Sequence, residues 1–250
     1  MLVGLVGVAA GCGHKSEARK SPATGAAATA EAGELVALIQ AVAGEYGEAQ
    51  EQPGDSGLVR ADAIAARMVD RARQSPALAA FMPATEKLRA AITHRAQPVV
   101  IDRAASALID DLIARRSLAT APPARPDLAR AKQVYGDACA SCHGVDGRGH
   151  VPAAEHLSPP PPDLALSDVI NPLSPYQVYE TVTYGIYDTA MPAFPTLSAR
   201  DRWAVAFYIF TLRPAVCRPG PASPAVSLAE LARATDNALV GRYGEPALAC

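Results

Sequence analysis

Cys139-Ala140-Ser141-Cys142-His143 sets two cysteines three residues apart and a histidine directly after the second. On one turn of helix both thiols face the same side, within reach of the two vinyl groups of a single porphyrin. The imidazole that follows lies beneath the iron of such a group, where it can serve as proximal ligand. This is the pattern for covalent attachment of a c-type haem. A dithiol redox site needs only the two cysteines, and a zinc site needs a second pair of ligands nearby. His150 and His156 are close enough to supply that pair for a Cys2His2 zinc site, but the residues further downstream fit haem.

Of the four methionines, Met1, Met68, Met82 and Met191, only Met191 follows the motif. It sits in Tyr184-Gly185-Ile186-Tyr187-Asp188-Thr189-Ala190-Met191-Pro192-Ala193-Phe194, outside any helical pattern. A methionine usually fills a core. A thioether between glycine and proline in a loop is a poor core-filler, and Met191 reads as the sixth ligand. His/Met ligation raises the reduction potential and leaves no open position on the iron. Such a site passes electrons and does not bind substrate. No general acid, base or nucleophile is assigned. Met68, Met82 and His94 lie on apolar or mixed helical faces and read as packing residues.

Residues 127–214 resemble a class I cytochrome c domain. Cys139 to His143 matches its haem-attachment motif, and Met191-Pro192 its sixth-ligand loop. Tyr135 stands where that family has an aromatic of the first helix, and Ala131 where it has a small residue. Trp203, Phe207, Tyr208 and Phe210 fall in the last helix. The resemblance implies that first and last helices cross near Ala131. It implies one covalent haem c, held by Cys139, Cys142, His143 and Met191, with redox proteins as partners. It further implies that a proline carbonyl near residues 159–162 accepts the His143 ring N–H, and that haem is attached outside the cytoplasm.

Around this domain the chain divides by composition. Residues 1–12 read as an export signal, apolar or glycine up to Cys12 and too short for a bilayer span. Ala9-Ala10-Gly11-Cys12 resembles a lipobox, which implies lipidation of Cys12 and a periplasmic or cell-envelope protein anchored to the membrane. Two departures are the absent basic n-region and Ala9 where leucine is usual. Residues 13–32, rich in alanine, serine, threonine and glycine, read as a disordered tether. Residues 33–118 show apolar residues at helical spacing in four segments, and short connections suggest an antiparallel bundle. Ser75-Pro76 reads as a helix cap followed by proline, and Pro83 as a kink or split. The fold class is therefore all-α, a helical bundle followed by the cytochrome domain.

Residues 119–126 form a proline-rich linker, and Asp127 caps the next helix. After His143, three glycines in residues 144–149 allow a tight turn, and Arg148 is either a propionate partner or a surface residue. Residues 215–250 form a tail with a short helix over 226–239. In an oxidising compartment Cys217 and Cys250 either form a disulfide or remain thiols. The net charge of −2 and the absence of any basic cluster longer than Arg115-Arg116 exclude nucleic acid as a partner.

A narrower resemblance covers most of residues 34–239. The helical region, the linker, Gly185, Met191-Pro192 and residues 197–208 together look like the extracytoplasmic cytochrome portion of bacterial cytochrome c–iron permease fusions. It implies support of ferrous iron oxidation and uptake beside a membrane iron permease. No Arg-Glu-x-x-Glu motif of the permease occurs, and no long apolar run follows the cytochrome, so the chain reads as a soluble part or a partner. Two other readings stand beside this electron carrier. One is an electron-transfer subunit of a terminal oxidase or periplasmic dehydrogenase. The other is a haem-based ligand sensor or peroxidase with a labile Met191. The bundle can also be a docking module.

Overall fold

A computed structural model describes residues 22–51, 55–214 and 225–244, and every regular element among them is a helix. The export signal with Cys12, and Cys217 and Cys250, lie outside the described residues. The all-α class read from the sequence is what the chain adopts.

Helices α1 (Pro22–Glu51), α2 (Asp55–Gln74), α3 (Met82–Thr93) and α4 (Pro98–Arg116) form the bundle, α1 and α3 each packing on both α2 and α4. The apolar stripes put Leu35, Ile39, Met68, Leu88, Ile101 and Leu112 fully inside. Each such side chain contributes roughly 1.5–3 kcal/mol on burial. Tyr46 is buried as well, and its hydroxyl donates to the Ala96 carbonyl at 2.7 Å, so the ring carries no unpaired polar tip. Residues 25–50 of α1 are apolar and long enough to cross a membrane by composition, but the stripe Leu35, Ile39, Val42 and Tyr46 is taken up by the bundle core.

Two expectations change here. Residues 22–32, expected as part of a tether, are helical, because α1 already begins at Pro22. Alanine is the best helix former, and a short alanine-rich run continues a helix that Leu35 to Tyr46 anchor by packing. Ser75 does not cap the turn that follows it; its hydroxyl donates instead to the Glu31 carboxylate of α1. Pro83 does split the third segment, into a 3-10 turn (Pro76–Phe81) and α3, with the proline in the first turn where no N–H is needed.

Residues 118–127 carry no helix. Asp127 Oδ1 then accepts the Arg130 N–H at 3.0 Å and starts α5 (Leu128–Ala138). There follow α6 (Ala140–His143), α7 (Ser167–Ile170), α8 (Pro175–Tyr184) and α9 (Ala199–Tyr208). Ser174 and Gln177 close a reciprocal capping box on α8. Helix α9 packs on both α5 and α8. Trp203 of α9 stacks on Tyr179 with centroids 4.2 Å apart, and Tyr208 meets Tyr135 of α5 at 5.4 Å. Ala131 is fully buried on α5, as a close helix contact requires.

The tail carries two helices where one was expected, α10 (Leu228–Arg233) and α11 (Asp236–Tyr243). Ala234 is extended, and Thr235 Oγ1 accepts the Ala238 N–H at 3.1 Å, which restarts the helix. Helix α10 lies on α8, and Arg233 pairs with Asp110 of the bundle at 2.8 Å.

Candidate haem site

The attachment turn is built from both sides. Cys139 closes α5 through its N–H to the Tyr135 carbonyl at 2.9 Å, and its own carbonyl accepts from Cys142 and His143 at 3.1 and 3.0 Å. The five residues are therefore one continuous turn. Gly144 ends it with φ 77°, a conformation that disfavours side chains. Tyr135 Oη donates to the Gly144 carbonyl at 2.9 Å, tying the end of the motif to α5. The glycine loop folds back, Gly149 N–H donating to the His143 carbonyl at 2.7 Å. A side chain at Gly149 would sit 3.0 Å from the Pro161 carbonyl, so the proline run lies directly against this loop.

The donor set fits haem better than its rivals. Cys139 is 8% exposed, and burial, helped by Cys142, pushes its thiol up to about 11. A thiol held protonated is a poor metal ligand and a poor redox nucleophile. Among the described residues no group of three or more His, Cys, Asp or Glu side chains converges as a metal site, and His150 and His156 are exposed. Burial lowers the pKa of His143, so its imidazole is neutral, the form that coordinates iron. Its Nδ1 is buried with no hydrogen-bond partner among the described residues. An orphaned nitrogen of this kind costs roughly 1–3 kcal/mol unless something engages the ring. The proline carbonyl implied by the cytochrome resemblance does not reach it.

Met191 is half-buried in the loop after α8. Its carbonyl accepts the Ile186 N–H at 3.1 Å, and its N–H donates to Thr189 Oγ1 at 3.1 Å. Gly185, with φ 73°, lets the two ends of the loop touch: an added Cβ would stand 2.7 Å from the Met191 carbonyl. A cavity of about 320 Å³ borders Met191, and its walls include Tyr184 and Tyr187, which face bundle residues Leu38 and Arg67. Cys139, Cys142 and His143 are not among its lining residues. Arg148 is exposed and lies 3.6 Å from Asp146, in keeping with a surface role. Met68 is fully buried in the bundle core.

Sequence reasoning missed Glu180, which is 4% exposed on α8. Tyr176 of its own helix and Arg202 of α9 face it, yet neither Glu180 Oε2 nor Tyr176 Oη makes a well-aligned hydrogen bond. Burial pushes the carboxyl up to about 8, against opposing effects of Tyr176 and Arg202. The folded chain thus holds a proton that the unfolded chain releases near 4.5. Stability falls as pH rises between those values and levels off above the higher one. Glu180→Gln should flatten that slope in denaturant titrations run from pH 5 to 9, and stabilise the protein above pH 8 by about 2–4 kcal/mol. An unchanged slope would show that Glu180 is not the group responsible.

Part of the chain is similar to known proteins. Residues 126–209 match the family model described as cytochrome c oxidase, cbb3-type, subunit III. That segment is a class I c-type cytochrome domain, and such a domain carries covalent haem c. Among solved structures, a chain of the Kuenenia stuttgartiensis reducing HAO-like protein complex is 26% identical, with a TM-score of 0.34. The match covers 44% of this chain and 60% of that one. No curated protein matches the chain.

Proposed function

We propose that the chain is an extracytoplasmic one-electron carrier. Cys139 and Cys142 anchor haem c by thioethers, and His143 and Met191 are its axial ligands. When bound, the haem supplies a one-electron Fe(III)/Fe(II) couple. The protein supplies two ligands, a fixed orientation and a shielded pocket. What carries this reading is the Cys139–His143 turn, which ends in a neutral, half-buried imidazole whose buried Nδ1 is unpaired. Val145, two residues beyond, is 81% exposed and offers a redox partner an apolar contact beside the attachment turn.

The test is chemical. Denatured protein extracted with acidified organic solvent should keep its porphyrin, and the reduced protein should ignore carbon monoxide. Porphyrin in the organic phase would remove the thioether anchors. Rapid carbon monoxide binding would instead favour the sensor or peroxidase class.

The partner is a second matter. The match to an oxidase subunit model favours delivery of electrons to a terminal oxidase. Service to a membrane iron permease rests on the sequence resemblance, supported by the helical bundle ahead of the cytochrome. A lipid anchor at Cys12 would hold either pair together at the membrane. Affinity capture with the intact chain, followed by reduction and reoxidation of the captured pair, separates the two partners.

A further inference from the structure

Met191 lies on a loop that the bundle touches at two points. Tyr184, the last residue of α8, donates its hydroxyl to the Ala30 carbonyl of α1 at 3.0 Å. Its ring seats against Gly33: a Cβ there would stand 2.3 Å from the Tyr184 oxygen and 3.0 Å from Cζ. Only glycine leaves room for this phenol. Three residues on, the Arg67 guanidinium of α2 lies over the Tyr187 ring, 5.9 Å from its centroid. Between these contacts the loop closes on itself. Gly185 brings its backbone against Met191, Pro192 and Ala193, so a displacement of Tyr184 passes to Met191 through a single residue.

We infer that helix α1 is part of the ligand-holding apparatus, with Gly33 and Tyr184 as positioning residues that keep the Met191 loop in its ligating conformation. This rests on the reading of Met191 as an axial ligand. A thioether is a weak ligand, so its residence on iron depends on how firmly the loop is held. In a cytochrome domain by itself the loop would have its internal hydrogen bonds and one tie to α8, from the Phe194 N–H to the Val182 carbonyl. Here the bundle adds an anchor at Tyr184 and a lateral contact at Tyr187. The bundle therefore belongs to the redox site as well as to any docking role.

The design of the test follows from the glycine. Alanine is a better helix former than glycine, so Gly33→Ala leaves α1 at least as stable while displacing the tip of Tyr184. Tyr184→Phe removes only the bond to Ala30. Gly44→Ala, on an exposed face of α1 with open space around it, is the control. The holoproteins are compared by the sulfur–iron(III) charge-transfer band, its thermal loss, and carbon monoxide binding to the reduced form. Gly33→Ala should lose the band at lower temperature and bind carbon monoxide about tenfold faster than wild type, with helicity and global unfolding unchanged. Tyr184→Phe should move in the same direction by a smaller factor, and Gly44→Ala should match wild type. If the wild type shows the band and both Gly33→Ala and Tyr184→Phe match it, the inference is overturned and the ligand reading stands. If the wild type lacks the band, the ligand reading fails and takes the inference with it. Should Gly33→Ala not fold, Tyr184→Phe alone decides, because it removes one oxygen and no packing.

Discussion

His143→Ala should leave a folded chain whose stably bound haem falls at least about tenfold, because the proximal ligand is the one iron bond both halves of the site presuppose. The structural reasoning separates loss of ligation from loss of fold. The imidazole makes no hydrogen bond through Nδ1, so its removal takes away a buried polar atom that nothing satisfies. The turn itself is held by main-chain bonds, from the Cys142 and His143 N–H groups to the Cys139 carbonyl and from the Gly144 N–H to the Ala140 carbonyl, and by Tyr135 Oη on the Gly144 carbonyl. All of these survive truncation at residue 143. The bundle helices pack around Leu35, Met68 and Leu112, far in sequence from residue 143, and should keep their helicity. Ser141→Ala, at an exposed position in the same turn, is the matched control and should retain full haem. Haem content by pyridine adduct, read beside far-ultraviolet circular dichroism, checks both halves. A variant that keeps haem with a low-spin spectrum would displace His143 from the ligand set.

Local chemistry was legible and long-range packing was not. Two thiols and an imidazole on one turn, a capping aspartate at 127 and a thioether in a glycine-bounded loop are fixed by spacings of a few residues. They stand where spacing put them. The Tyr135–Tyr208 contact and the burial of Ala131 came from family resemblance, and the packing of α5 on α9 agrees with it. Residues 22–32 were misread because composition without large side chains suggests a tether, whereas helix propensity and a packed continuation decide the outcome. Ser75 was misread because its hydroxyl has a competitor 44 residues away, Glu31, that no local rule contains. Tyr184 and Ala30 are 154 residues apart, so the seat at Gly33 was outside the reach of any periodicity. Glu180 is buried because α1, α9 and α10 all pack on α8, contacts that no local spacing contains.

Met191→Ala should switch carbon monoxide binding on and lower the reduction potential by about 0.1–0.3 V, part of the roughly 0.8 V over which axial ligands tune haem. The loop should persist, because its geometry is set by backbone groups. Ile186 N–H donates to the residue 191 carbonyl, the residue 191 N–H donates to Thr189 Oγ1, and Phe194 N–H donates to the Val182 carbonyl. None of these needs the methionine side chain. Truncation therefore removes the sulfur and leaves its frame, so the spectroscopic change reports ligation and not unfolding. Met191→His provides the complementary case: a second imidazole should again close the iron to carbon monoxide while keeping the potential low. The pair separates an open site from a low potential, two properties that Met191→Ala alone changes together. An unchanged potential with no gas binding in Met191→Ala would mean that the thioether is not on the iron. The bracing by Gly33 and Tyr184 would then have nothing to hold, so Met191→Ala sets the upper bound on every effect that loosening α1 can produce.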